Sequence, residues 1–198
     1  MATKKILTSQ QWVELVKTTD LSQRKVLEAF KVAMKENNAE LAYELACLPQ
    51  EETNRELAEK IVLRSKNPHF CYLFARDIPN ANVKMHEKVC LKSKDLDTAI
   101  DFARDIPNAN IQSFEKLILD ARDPKYSYMF VEDVEQANIK LHQDIIIYSR
   151  NEEYIKKLRN LDYDGINKRT LSLALGRCTR SKNSAKNHEK AREDEMTK

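Results

Sequence analysis

The chain has 198 residues, of which 41% are hydrophobic and 33% charged, with two glycines and a net charge of +3. That length fits one domain, and so little glycine with so much charge disfavours a sheet protein with many turns and favours an all-α fold. No apolar run reaches the ~20 residues of a membrane span, and "MATKKILTSQQW" lacks the apolar core of a secretory signal, so a cytoplasmic protein with no membrane partner is expected.

Residues up to about Thr8 read as an unstructured lead. A helix starts near Ser9 and presents Trp12, Val13 and Val16 on one side. Asp20 is placed to cap a second helix through "LSQRKVLEAFKVAMKE", and "NNAELAYELACL" supplies its partner. Beyond this point a period governs the chain. The stretch "FARDIPNAN" occupies Phe74 to Asn82 and recurs letter for letter from Phe102 to Asn110, 28 residues later. A further step reads "FVEDVEQAN" from Phe130, which keeps Asp133, Val134, Ala137 and Asn138. Fixed-period repeats dictate architecture. The expected fold is an α-solenoid of about five helix-turn-helix repeats, covering residues 27–52, 53–82, 83–110, 111–138 and 139–167, with a capping helix at 168–177. Together these make a helical-repeat domain over 1–178, followed by a charged, aperiodic tail at 179–198.

Within a repeat the boundaries are written in cap chemistry. Asn67, Asp95, Asp123 and Asn151 stand where the second helix needs an N-cap acceptor, and Pro68 and Pro124 follow at the first helical position. Pro79 and Pro107 stop the second helix, after which Asn82, Asn110 and Asn138 cap the next first helix. The aromatics Phe74, Phe102 and Phe130 share one repeat position, as do Phe70, Tyr126 and Tyr154, and are expected in a core between stacked repeats. The recurrent nonapeptide is therefore read as a building block and not as a duplicated catalytic loop.

The sequence offers few groups for chemistry. It has no GxxxxGK, GxGxxG, HExxH or GxSxG motif, and no enzymatic activity, cofactor or metal is expected. His86 and His142 occupy one repeat position, held by Phe114 in the intervening repeat, so they are expected to pack. His69 falls in a first helical turn and is expected to be exposed; His188 lies in the tail. Cys47, Cys71, Cys90 and Cys178 include no CxxC pair and read as small apolar residues in a reducing compartment. Asp77, Asp105 and Asp133 form a ladder, each expected to accept backbone N–H bonds from its own following loop. Arg76 and Arg104 precede two of them and give way to Glu132 in the third, which marks a solvent-facing position and makes the arginines candidate partner contacts. From Asn167 to Asn187 there are six basic residues and no acid. These residues, Lys168, Arg169, Arg177, Arg180, Lys182 and Lys186, form a second candidate binding segment, suited to nucleic acid.

The repeats resemble short αα-hairpin tandem repeats, similar in plan to tetratricopeptide and HEAT solenoids but with a shorter period. The frame "DPKYSYMFVEDVEQANI", traced over about Ala39 to Asn167, also resembles tandem repeats of phage and large-virus proteins of unknown role. The resemblance implies a fold and no catalytic residues. The expected function is a scaffold that binds a protein or peptide on its stacked-helix surface, with nucleic-acid binding through the basic segment as the alternative.

Overall fold

A computed structural model describes residues 7–49 and 53–180. The described residues form twelve helices and no strand. In chain order these are α1 (Ser9–Thr18), α2 (Gln23–Glu36), α3 (Ala39–Cys47), α4 (Arg55–Ser65), α5 (Pro68–Asp77), α6 (Val83–Ser93), α7 (Leu96–Asp105), α8 (Ile111–Ala121), α9 (Pro124–Asp133), α10 (Ile139–Tyr148) and α11 (Glu152–Asn160), with α12 at residues 168–180. The chain forms two compact units, Met1–Asn110 and Ile111–Lys198, whose boundary coincides with a repeat boundary.

The caps fall where local chemistry puts them. The side-chain oxygens of Asn67, Asp95, Asp123 and Asn151 accept the N–H groups of Phe70, Thr98, Lys125 and Glu153 at the starts of α5, α7, α9 and α11. Asn82 and Asn138 do the same for Met85 and Leu141 at α6 and α10. The residue before the cap in the tight turn is left-handed: Lys66, Lys94, Arg122 and Arg150 have φ between 53 and 59°. Ser65, Ser93 and Ser149 finish the turn, each donating to a carbonyl of its own helix and accepting the N–H of the following cap residue. At the N-terminus Thr8 and Gln11 form a capping box for α1. Asp20 does not cap α2; Ser22 holds that place and makes no side-chain capping bond.

In the first unit α3 packs on α5 and α5 on α7, while α2 packs on α4 and α4 on α6. The second unit repeats the pattern, with α9 on α11 and α8 on α10. These contacts bury Phe74 and Phe102 in the first unit and Phe130 in the second, as their shared repeat position foretold. Ile155, Leu158 and Leu171 join Val131 and Ile146 in the core of the second unit.

Helix α12 runs past the expected end of the cap at 177 and includes the first two residues assigned to the tail. The reason is Cys178, which is buried in the core of the second unit with its Sγ donating to the Arg150 carbonyl oxygen at 3.6 Å. The remaining tail, with Lys182, Lys186 and His188, lies outside the described residues. Cys71 and Cys90 are buried as small apolar residues, whereas Cys47, at the last position of α3, is exposed. No helix among the described residues is long and apolar enough to cross a membrane.

Candidate interaction surface

The recurrent polar residues of the first unit assemble on α3, α5 and α7. Tyr43 of α3 donates its hydroxyl to Asp77 Oδ2 of α5 at 2.7 Å. One repeat on, Tyr72 of α5 donates to Asp105 Oδ2 of α7 at 2.5 Å. Arg76 grips Asp77 with two bonds of 2.7 and 2.9 Å, gives a third to the Tyr72 hydroxyl at 2.9 Å, and lies 5.0 Å from the centre of that ring. Arg104 grips Asp105 in the same two-pronged way and also reaches Asp101 at 2.8 Å. The guanidinium of Arg76 holds the Asp77 carboxyl below the ordinary carboxylate range, with Tyr43 assisting against a contrary push from burial. Asp105 is lowered in the same way by Arg104, with Tyr72 assisting.

Asp77 and Asp105 thus take arginine and tyrosine partners in place of the backbone N–H groups expected of their loops. Those loop amides have other acceptors. Ala81 and Ala109 bond back to the carbonyls of Ile78 and Ile106, closing the turn around Pro79 and Pro107. In the second unit the arginine place is held by Glu132, which accepts the Tyr128 hydroxyl at 2.6 Å. The position read as solvent-facing is exposed, with Arg76 and Arg104 about two-fifths exposed at side-chain level, and it is also part of a tyrosine–carboxylate row.

A second recurrent contact, which the letters alone do not announce, is made by the first helices. Glu59 Oε1 accepts the backbone N–H of Asn82 at 2.6 Å. Glu87 accepts that of Asn110 at 2.9 Å, Glu115 that of Asn138 at 2.5 Å, and Gln143 that of Asn167 at 2.9 Å. All four acceptors stand 28 residues apart on successive first helices, so one tie is made four times. Two of them also face a histidine. His86 Nε2 is 3.1 Å from Glu59 Oε1, and His142 Nε2 is 3.4 Å from Glu115 Oε1, close enough to attract but not aligned for a hydrogen bond. Both imidazoles are fully buried and stack at 5.2 Å on Phe74 and Phe130 respectively. Burial lowers both histidines below their ordinary value of 6.5, and the glutamates oppose this only in part. They are neutral packing residues, as the phenylalanine at the equivalent position implied. His69 is exposed, edge-on to Phe70 at 5.3 Å.

The basic segment lies on α12. Lys168 pairs with Asp162 at 3.1 Å, while Arg169, Arg177 and Arg180 are exposed. The described residues contain no group of three or more His, Cys, Asp or Glu arranged to hold a metal ion. Comparison with family models, with curated proteins and with solved structures finds no match for this chain.

Proposed function

We propose that this chain is a non-enzymatic cytoplasmic scaffold: an α-solenoid of about five stacked 28-residue hairpins that binds a protein or peptide on its stacked-helix surface. The observation that carries this reading is the tie made by Glu59, Glu87, Glu115 and Gln143 to the cap residue at the start of the next hairpin. A bond made four times at the same repeat position, to the cap residue ahead of the next first helix, supports a regular array of hairpins. The likeness to tetratricopeptide and HEAT arrays, and to phage and large-virus repeats, belongs with this architecture. Such arrays present side chains on rigid helices, and Arg76 and Arg104 fit that use. Each is about two-fifths exposed at side-chain level and oriented by its carboxylate, which holds a planar guanidinium in place at the surface.

A peptide-display selection against the immobilised full chain tests this. Enriched peptides should bind saturably in solution. Failure to enrich any peptide, with oligonucleotides bound instead and lost steeply as salt rises, would establish the alternative. That second reading is favoured by one observation: α12 exposes Lys168, Arg169, Arg177 and Arg180 on a single helix. A truncation that removes the tail should end after Arg180, because α12 runs to that residue and a stop before Cys178 would also remove a buried side chain.

A further inference from the structure

We infer that the two grooves beside Tyr148 receive an acidic peptide segment carrying an apolar anchor, an inference that rests on the scaffold reading above. Tyr148 ends α10 and is 84% exposed. In the repeat frame its place is held elsewhere by Arg64, Lys92 and Asp120. The frame thus reserves this place for charged groups facing water, and an aromatic ring there is not serving the core.

Two cavities open beside this residue. One, of about 340 Å³, is lined by Ile147 and Ala174 together with Arg150 and Arg177. The other, of about 550 Å³, has Leu119 and Ile145 in its wall, with Arg122 and Asp144. Tyr148 lines both. Arg122 and Arg150 are the left-handed residues that follow α8 and α10, so their side chains leave the backbone at the ends of two packed neighbouring helices. Cys178 fastens the backbone of one of them through its bond to the Arg150 carbonyl. Unlike Arg76 and Arg104, none of Arg122, Arg150 and Arg177 has an ion-pair partner among the described residues; Asp144 is the one acid lining the two cavities.

Charge and shape together select the occupant. Three guanidinium groups with no ion-pair partner among the described residues, against one carboxylate, call for a negatively charged partner. Aliphatic walls call for a side chain such as Leu, Ile or Phe, which buries apolar surface there and excludes water around the charged contacts. Single-stranded nucleic acid would satisfy the arginines but needs aromatic faces on which successive bases stack, and a single tyrosine between aliphatic walls supplies one. A peptide alternating acidic and apolar residues uses the arginines and the aliphatic side chains together, against the single opposing charge of Asp144.

The test takes peptides enriched by display against the full chain and measures their binding to it, to Tyr148→Ala and to Arg122→Glu/Arg177→Glu. These positions are exposed, and circular dichroism checks that the helices persist. Enriched sequences should carry Asp or Glu beside Leu, Ile or Phe. Their affinity should fall about tenfold or more in each variant, and rising salt should weaken it. Enriched peptides that bind the variants as they bind the parent would overturn the groove assignment while leaving the scaffold reading intact. Enriched peptides without acidic residues, or displacement of the peptides by a single-stranded oligonucleotide that binds the same groove more tightly, would overturn the stated partner. Failure to enrich any peptide would remove the scaffold reading itself, and this inference with it.

Discussion

Glu87 and Gln143 perform the same task with different charge, each accepting the N–H of a cap residue. The chain thus supplies its own control. Glu87→Gln should be near neutral in urea denaturation, whereas Glu87→Ala leaves the Asn110 N–H without its acceptor and should cost about 1 kcal/mol. Equal losses would mean that the carboxylate charge, and not the bond, is what matters. The buried histidines make a second comparison at this scale. Because their folded pKa lies below the unfolded value, their contribution is present above pH 6.5 and is lost as pH falls from there toward the folded pKa. Asp77 and Asp105, also lowered, lose theirs only below the ordinary value of 3.8. Stability should therefore already decline between about pH 7 and pH 5, and His86→Phe/His142→Phe should flatten that decline, Phe114 being the resident of the same place in another repeat. An unchanged slope in the double variant would place the titrating groups elsewhere.

The helices repeat an arrangement that costs them something at each turn. Lys66, Lys94, Arg122 and Arg150 adopt a left-handed conformation that only glycine enters freely. Lys94→Gly should raise stability by about 0.5–1 kcal/mol in thermal or urea unfolding, since C-terminal caps of this geometry favour glycine. A loss would show that the lysine side chain contributes more than its backbone strain removes. The elements themselves were legible in the sequence because caps act over two or three residues: Asn67, Asp95 and Asn151 announce a helix start wherever they stand. The glutamate ties were not legible, since the partner lies 23 residues away and a glutamate within a helix reads as a solvated charge. Arg76 was legible only in its exposure. Its repeat position changes sign, which marks exposure, but nothing in the letters shows the side chain turning back onto Asp77 and Tyr72. Asp20 failed as a cap because the loop continues to Ser22, and Cys178 extended a helix that charge alone would have ended.

The whole chain offers two internal reporters. Trp12, the sole tryptophan, is buried in the unit Met1–Asn110, and Cys178 is buried in the unit Ile111–Lys198. In repeat arrays, stability is a sum of local terms, so units separate when their shared term is small. Phe130→Ala removes a fully buried ring from the second unit and should cost it about 3–5 kcal/mol. The urea midpoint for Cys178 labelling, followed by mass spectrometry, should then fall well below the midpoint for Trp12 fluorescence. Coincident midpoints would show that both units melt as one cooperative block. The repeat period was fully visible in the sequence, but the division at Asn110 was not, because the letters on either side of it continue the same frame.

A stretch encoded twice in one gene is a substrate for misaligned recombination. An exchange between the segments for Phe74–Asn82 and Phe102–Asn110 would excise or duplicate one whole period and restore the same letters at the join. The joined chain would still present an asparagine N–H to a glutamate 23 residues upstream, as Asn82 does to Glu59 and Asn110 to Glu87. The helix that follows would still open on a branched aliphatic residue, Val83 or Ile111. Such an exchange would change the length by a whole step of 28 residues, while most smaller changes inside a hairpin would displace a glutamate from its asparagine. The one extra residue between Gln143 and Asn167 marks the tolerance of the device, since that tie still closes at 2.9 Å.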